Sequence, residues 1–155
     1  MSTATASRRH VRYNSFDEVL ADAERAVQGK AETTGNWSLG KILKHLAIAN
    51  EKSIDGFGFQ APLPVRMIAG TFLKRRILKK GLKPGFRLPQ RAAQVLVPEE
   101  ISADAALDHL RRSVERLKSE TKRSPHPFLG SMAVAESNCL NLRHAELHMS
   151  FVKLS

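Results

Sequence analysis

Apolar residues recur at helical spacing in four long stretches of this chain, with polar or basic segments between them. In the first, Phe16, Val19, Leu20, Ala23 and Val27 share one face of a helix with 3.6 residues per turn. Ser15-Phe16-Asp17-Glu18 precedes it as a capping box, in which serine and glutamate oxygens satisfy amides that the first turn leaves unpaired. Gly29 supplies a stop, so the spacing predicts a helix over about residues 16–28. In the second, Ser38 offers an N-cap and Leu39, Ile42, Leu43, Leu46 and Ile54 mark the apolar side, ending near Gly56. Trp37 stands just before that cap, where an aromatic can staple the chain to the first turn.

The third stretch starts around Pro98-Glu99-Glu100-Ile101-Ser102. There Ala103, Leu107, Leu110, Val114 and Leu117 alternate steps of four and three, while Arg111, Arg112, Glu115, Arg116 and Lys118 keep to the outer faces. Ser124 to Gly130, SPHPFLG, breaks the chain, and a last helix is predicted from about 133 to 152. Residues 57–98 connect the second and third helices. Pro62, Pro64, Pro84, Pro89 and Pro98 fence off VRMIAGTFLKRRILKK, whose spacing is again helical. The pattern sets Val65, Ile68, Phe72 and Ile77 against the body and turns Arg66, Lys74, Arg75, Lys79 and Lys80 outward. Gly81 to Val97 reads as irregular, and a connection of this length is a crossover or a functional lid. No strand alternation and no internal repeat occur. The expectation is an all-α four-helix bundle with a long crossover between helices two and three that carries an extra short helix.

Candidate chemistry sits on the last helix, in RHAELH, Arg143 to His148. His144 and His148 are four residues apart, hence about 40° apart on one face at 100° per residue. Leu140, Leu147 and Phe151 lie within about 60° of His144, and Glu146 and Lys153 fall opposite, so both imidazoles are expected in the apolar stripe. Two buried imidazoles need partners for their nitrogens. Serine, asparagine or carboxylate partners would satisfy them, and so would a metal completed by a third ligand from another helix. His45, near the middle of the second helix, flanks that helix's stripe and is a candidate. His10 falls in the N-terminal tail, His109 beside the third helix's seam and toward solvent, and His126 in a loop that it is expected to shape. Glu51 and Asp55 share the second helix with His45 but not clearly its face; Glu136, two turns before His144, is a possible supporting partner.

Composition narrows the class. A length of 155 residues suits one domain, expected over 14–155 after a disordered tail at 1–13. The longest apolar runs fall far short of the ~18 residues a membrane helix needs, and no membrane is expected as a partner. Arg8-Arg9 is not followed by the apolar segment of a twin-arginine signal. One cysteine, Cys139, excludes an intramolecular disulfide and suits a reducing cytoplasm; it lies well round the helix from His144. Net charge is +10, and the excess is local: Gly56 to Pro98 holds nine Lys/Arg and no Asp or Glu. Such a field attracts nucleic acid, anionic lipid or an anionic substrate, or serves only as a solvated face.

GNWSLGKILKHLAIANEKSIDGF (35–57), PHPFLG (125–130) and LRHAELHMSF (142–151) together resemble an uncharacterised bacterial family of unknown function within the DinB-like superfamily, over roughly residues 14–152. The resemblance implies a DinB-like bundle and a divalent metal, such as zinc, nickel or iron, on His45, His144 and His148. It further implies a metal-dependent hydrolase or a thiol-dependent transferase acting on a small molecule, with catalytic residues unknown and a homodimer possible. The alternative is a nonenzymatic module whose basic segment 66–91 contacts nucleic acid or another polyanion; nucleic acid is the less expected partner, because aromatic interleaving is thin and no helix-turn-helix pattern occurs.

Overall fold

In the computed structural model, which describes residues 8–154, the chain is all-helical with no strand among those residues. The four longest helices are α1 (Phe16–Gln28), α2 (Leu39–Asp55), α6 (Ala103–Ser119) and α7 (Val134–Met149), and they supply most of the core. The caps at Ser15 and Ser38 are those the sequence offers, and Ser102 adds a third. The hydroxyls of Ser15, Ser38 and Ser102 accept from the amides of Glu18, Lys41 and Ala105, each three residues on. The third long helix therefore starts at Ala103, several residues after Pro98, because Ser102 takes the cap and Pro98 to Ile101 stay outside any helix. α2 and α6 pack along most of their lengths, with Leu43, Leu46, Leu110 and Val114 fully enclosed between the helices. Gly40 permits the contact: a Cβ there would lie 2.0 Å from the Ile101 carbonyl oxygen.

The crossover is more helical than its proline content suggests. α3 (Leu63–Ile68) runs through a π-helical turn (Ala69–Leu73) into α4 (Lys74–Lys80), and α5 (Gln90–Leu96) forms where the sequence reads as irregular. The expected seating of the crossover is corrected. Only Ile77 is buried, against Leu129 and Leu140, whereas Val65, Ile68 and Phe72 are exposed. The π turn inserts an extra residue per turn and rotates the register, and Gly70 docks instead, its Cβ position 2.7 Å from the Leu129 carbonyl oxygen. Lys74 turns inward to pair with Glu136 at 3.2 Å.

Half of α7 is buried, and its apolar stripe is not where the histidines lie. Leu142, Ala145 and Met149 face the core, about 100–160° round from His144. Glu146, expected outside, is buried: its carboxylate accepts from Arg143 at 2.6 Å and from the Tyr13 amide at 2.9 Å. The chain that covers it is residues 8–13, part of the expected tail. Tyr13 is buried, and Arg9 donates to both carboxylate oxygens of Asp22, at 3.2 and 2.8 Å. Residues 1–7 of that tail lie outside the described residues. No helix among the described residues is long and apolar enough to cross a membrane.

Candidate metal centre

On α7, Ser137, Asn141, His144 and His148 fall within about 60° of one another, a polar seam beside the core-facing stripe. The seam faces α2. Asn141 donates to Ser53 Oγ at 3.1 Å, and one layer further in Asn50 donates to Ser113 Oγ at 3.0 Å. The buried amides are thus satisfied within the protein, and the histidines continue the seam toward the N-terminal end of α2.

His45 meets them there. Its Nδ1 is 2.6 Å from the Leu96 carbonyl oxygen, at the end of α5. A carbonyl only accepts, so Nδ1 carries the ring proton and Nε2 keeps its lone pair. That Nε2 lies 3.0 Å from His144 Nε2, which lies 3.1 Å from His148 Nε2. All three ligand atoms fall within 4.8 Å of one another, and among the described residues no other His, Cys, Asp or Glu joins the group. His45 is almost fully enclosed, while His144 and His148 keep part of their surface open.

Hydrogen bonds alone do not satisfy this arrangement. One proton on His144 Nε2 cannot form linear bonds to both neighbours, and with His45 protonated at Nδ1 the first contact needs that proton. Extra protons are disfavoured. Burial lowers the His45 pKa; burial, then the charges of His148 and His45, hold His144 well below its usual value; burial and His45 push His148 to about 3. Three neutral imidazoles aiming lone pairs at one point are what a divalent cation requires. Nitrogens bound tetrahedrally to one zinc at about 2.0–2.1 Å sit roughly 3.3–3.4 Å apart, a few tenths beyond the 3.0 and 3.1 Å of the two close pairs here. The donor set fits zinc, nickel or iron, and three ligands leave positions for other groups.

Trp37 frames the group. Its ring stacks on His148 (centroids 5.6 Å, planes 5° apart), meets His45 edge-on at 5.0 Å, and has Lys41 Nζ 5.5 Å from its centre. The sequence assigns Trp37 only to stapling α2. Neither its role here nor that of the Leu96 carbonyl carries a local signal, since the first depends on how α7 packs on α2 and the second on how the crossover returns.

The other candidates lie elsewhere. His109, expected toward solvent, is half-buried with Nε2 2.8 Å from Glu51 Oε1. Asp55 pairs with Arg116, and Glu136 caps Ala133 and pairs with Lys74, so none of these carboxylates supports the trio. Cys139 points at the Leu78 carbonyl. His126 shapes its loop: Nδ1 accepts from the amides of Phe128 and Leu129, both at 3.1 Å. His10 is exposed.

No curated protein and no solved structure matches the sequence. A family model described as Protein of unknown function (DUF1569) matches residues 5–154, nearly the whole chain, and the protein belongs to that family.

Proposed function

We propose that this protein is a DinB-like metalloprotein holding one divalent cation on His45, His144 and His148, and that it works as a thiol-dependent transferase or a metal-dependent hydrolase on a small molecule. The observation that carries the reading is the convergence of three Nε2 atoms from α2 and α7, with His45 fixed in the ligating tautomer by Leu96. Four long helices joined through one long crossover support the bundle type. A bound cation supplies Lewis acidity and lowers the pKa of a coordinated water or thiol.

The chain's own residues bind and orient. Leu96 fixes His45, Trp37 fixes the His148 plane, and the enclosed rings limit solvent around the reacting groups. Among the described residues no carboxylate stands in the group to take a proton. That favours the thiol branch, because a thiol of pKa about 8.5 needs far less help to ionise than water does.

Metal analysis of the purified protein tests the first part. About one equivalent is expected per chain, lost in His144→Ala and His148→Ala; full occupancy in both variants rejects the site. Cobalt substitution tests the second. A low-molecular-weight thiol that binds the metal gives a sulfur-to-cobalt charge-transfer band, and its absence leaves the hydrolase branch.

A further inference from the structure

We propose that the crossover docks this protein on an anionic lipid surface, the apolar residues of 63–73 entering the headgroup region and the basic residues that follow lying against it. This departs from the expectation that no membrane is a partner. Eight large apolar side chains are exposed among the described residues, and seven belong to residues 63–86. Met67, Ile68 and Phe72 are 62, 64 and 74% exposed. Scattered singly such residues carry no message, but a contiguous set marks a surface that something apolar covers.

The same segment contains no acid. From Gly56 to Pro98 it holds nine Lys/Arg. Arg75, Arg76, Lys79, Lys80 and Lys83 are exposed and have no carboxylate partner among the described residues. The segment is also held firmly. Gly70 sits on the Leu129 carbonyl and Ile77 packs on Leu129 and Leu140, so the apolar side chains stay turned outward.

Two occupants suit part of this surface and a third suits all of it. A second copy of the chain, meeting this face isologously, covers the apolar residues but brings two acid-free sets of nine cations together. A nucleic acid neutralises the cations and leaves Met67, Ile68 and Phe72 without a partner. An anionic bilayer accepts both: apolar side chains enter the acyl boundary while lysines and arginines meet the headgroups.

Sedimentation of the purified protein with vesicles tests the proposal. Retention is expected on phosphatidylcholine vesicles carrying about 30 mol% phosphatidylserine, not on phosphatidylcholine alone, and it weakens with salt. Arg75→Gln with Arg76→Gln weakens binding about thirtyfold, at about 1 kcal/mol per cation near an anionic surface. Met67→Ser with Phe72→Ser weakens it at least about tenfold, with the thermal midpoint unchanged because both sites are exposed. No retention at about 50 mM salt overturns the proposal, as does retention indifferent to the serine pair. Duplex DNA binding without vesicle binding assigns the surface to nucleic acid and also overturns it. So does a dimer that the serine pair converts to monomer.

Discussion

Acid should unfold the metal-free protein more readily than its composition suggests. His126 and His148 titrate at about 4 and about 3 in the folded chain. Burial is the leading cause for both: His126 lies among Phe57 and Phe128, His148 under Trp37. An unfolded histidine titrates near 6.5. As pH falls below that value the unfolded chain takes up protons that the folded chain refuses. Stability present in full above about pH 6.5 is therefore lost progressively as pH falls toward the folded values. From pH 7 to pH 5, linkage gives a loss of about 2 kcal/mol for each of the two, about 4 kcal/mol together. His45 and His144, also lowered by burial, act in the same direction. Against a total of about 5–15 kcal/mol for a domain, the loss is large. Urea unfolding with a chelator present, at pH 7, 6 and 5, measures it. His126→Asn keeps an acceptor near Nδ1 and should remove about 2 kcal/mol of the pH-dependent loss. A wild-type change below about 1 kcal/mol between pH 7 and 5 would refute the argument that these rings are held neutral.

Three further outcomes follow from the geometry. Trp37→Ala should keep one metal per chain but weaken affinity about tenfold or more, since the stacked ring orients His148; competition with a chromophoric chelator reads this out. Asp22→Asn should cost about 2–3 kcal/mol at pH 7, because Arg9 loses a two-point partner. Burial opposes the ionised Asp22, but the bonds from Arg9 and Tyr13 outweigh it and leave its pKa lowered, so this contribution is present above about pH 4 and lost as pH falls through the folded value. The variant's deficit should accordingly shrink in denaturant titrations at acid pH. Gly40→Ala should cost about 2–3 kcal/mol in the same titrations, because its Cβ meets backbone and not a movable side chain; an unchanged midpoint would contradict the close approach of α2 to Ile101.

Helix existence was legible wherever local chemistry decides it. Ser15 and Ser38 cap as their positions suggest, and the seam from Leu107 to Leu117 is buried as its spacing implies. Facing was less legible, because it depends on what arrives from elsewhere. Counting from His144 finds apolar neighbours, yet residues 8–13 and α2 both cover α7, so the core-facing side moves round to Ala145 and Met149. With apolar and buried polar residues all round, periodicity cannot say which side meets the core. The crossover failed for a related reason. A single π turn breaks the register between the side chains before it and Ile77 after it, and no pattern of apolar residues announces it. The histidine pair could be read from spacing, whereas His45 entered through resemblance, since the carbonyl that orients it lies 51 residues away.

That distance gives His45 a weight its place in the sequence hides. His144 and His148 lie four residues apart, so an unfolded chain can still chelate a cation through them. His45 is 99 residues from His144 and reaches it only when α2 and α7 have packed. A cation stabilises the native state only by the affinity that the denatured ensemble cannot match. Almost all of that difference resides in the distant imidazole. On the proposed reading, the local pair would catch the metal in either state, and the remote histidine would make its capture favour folding.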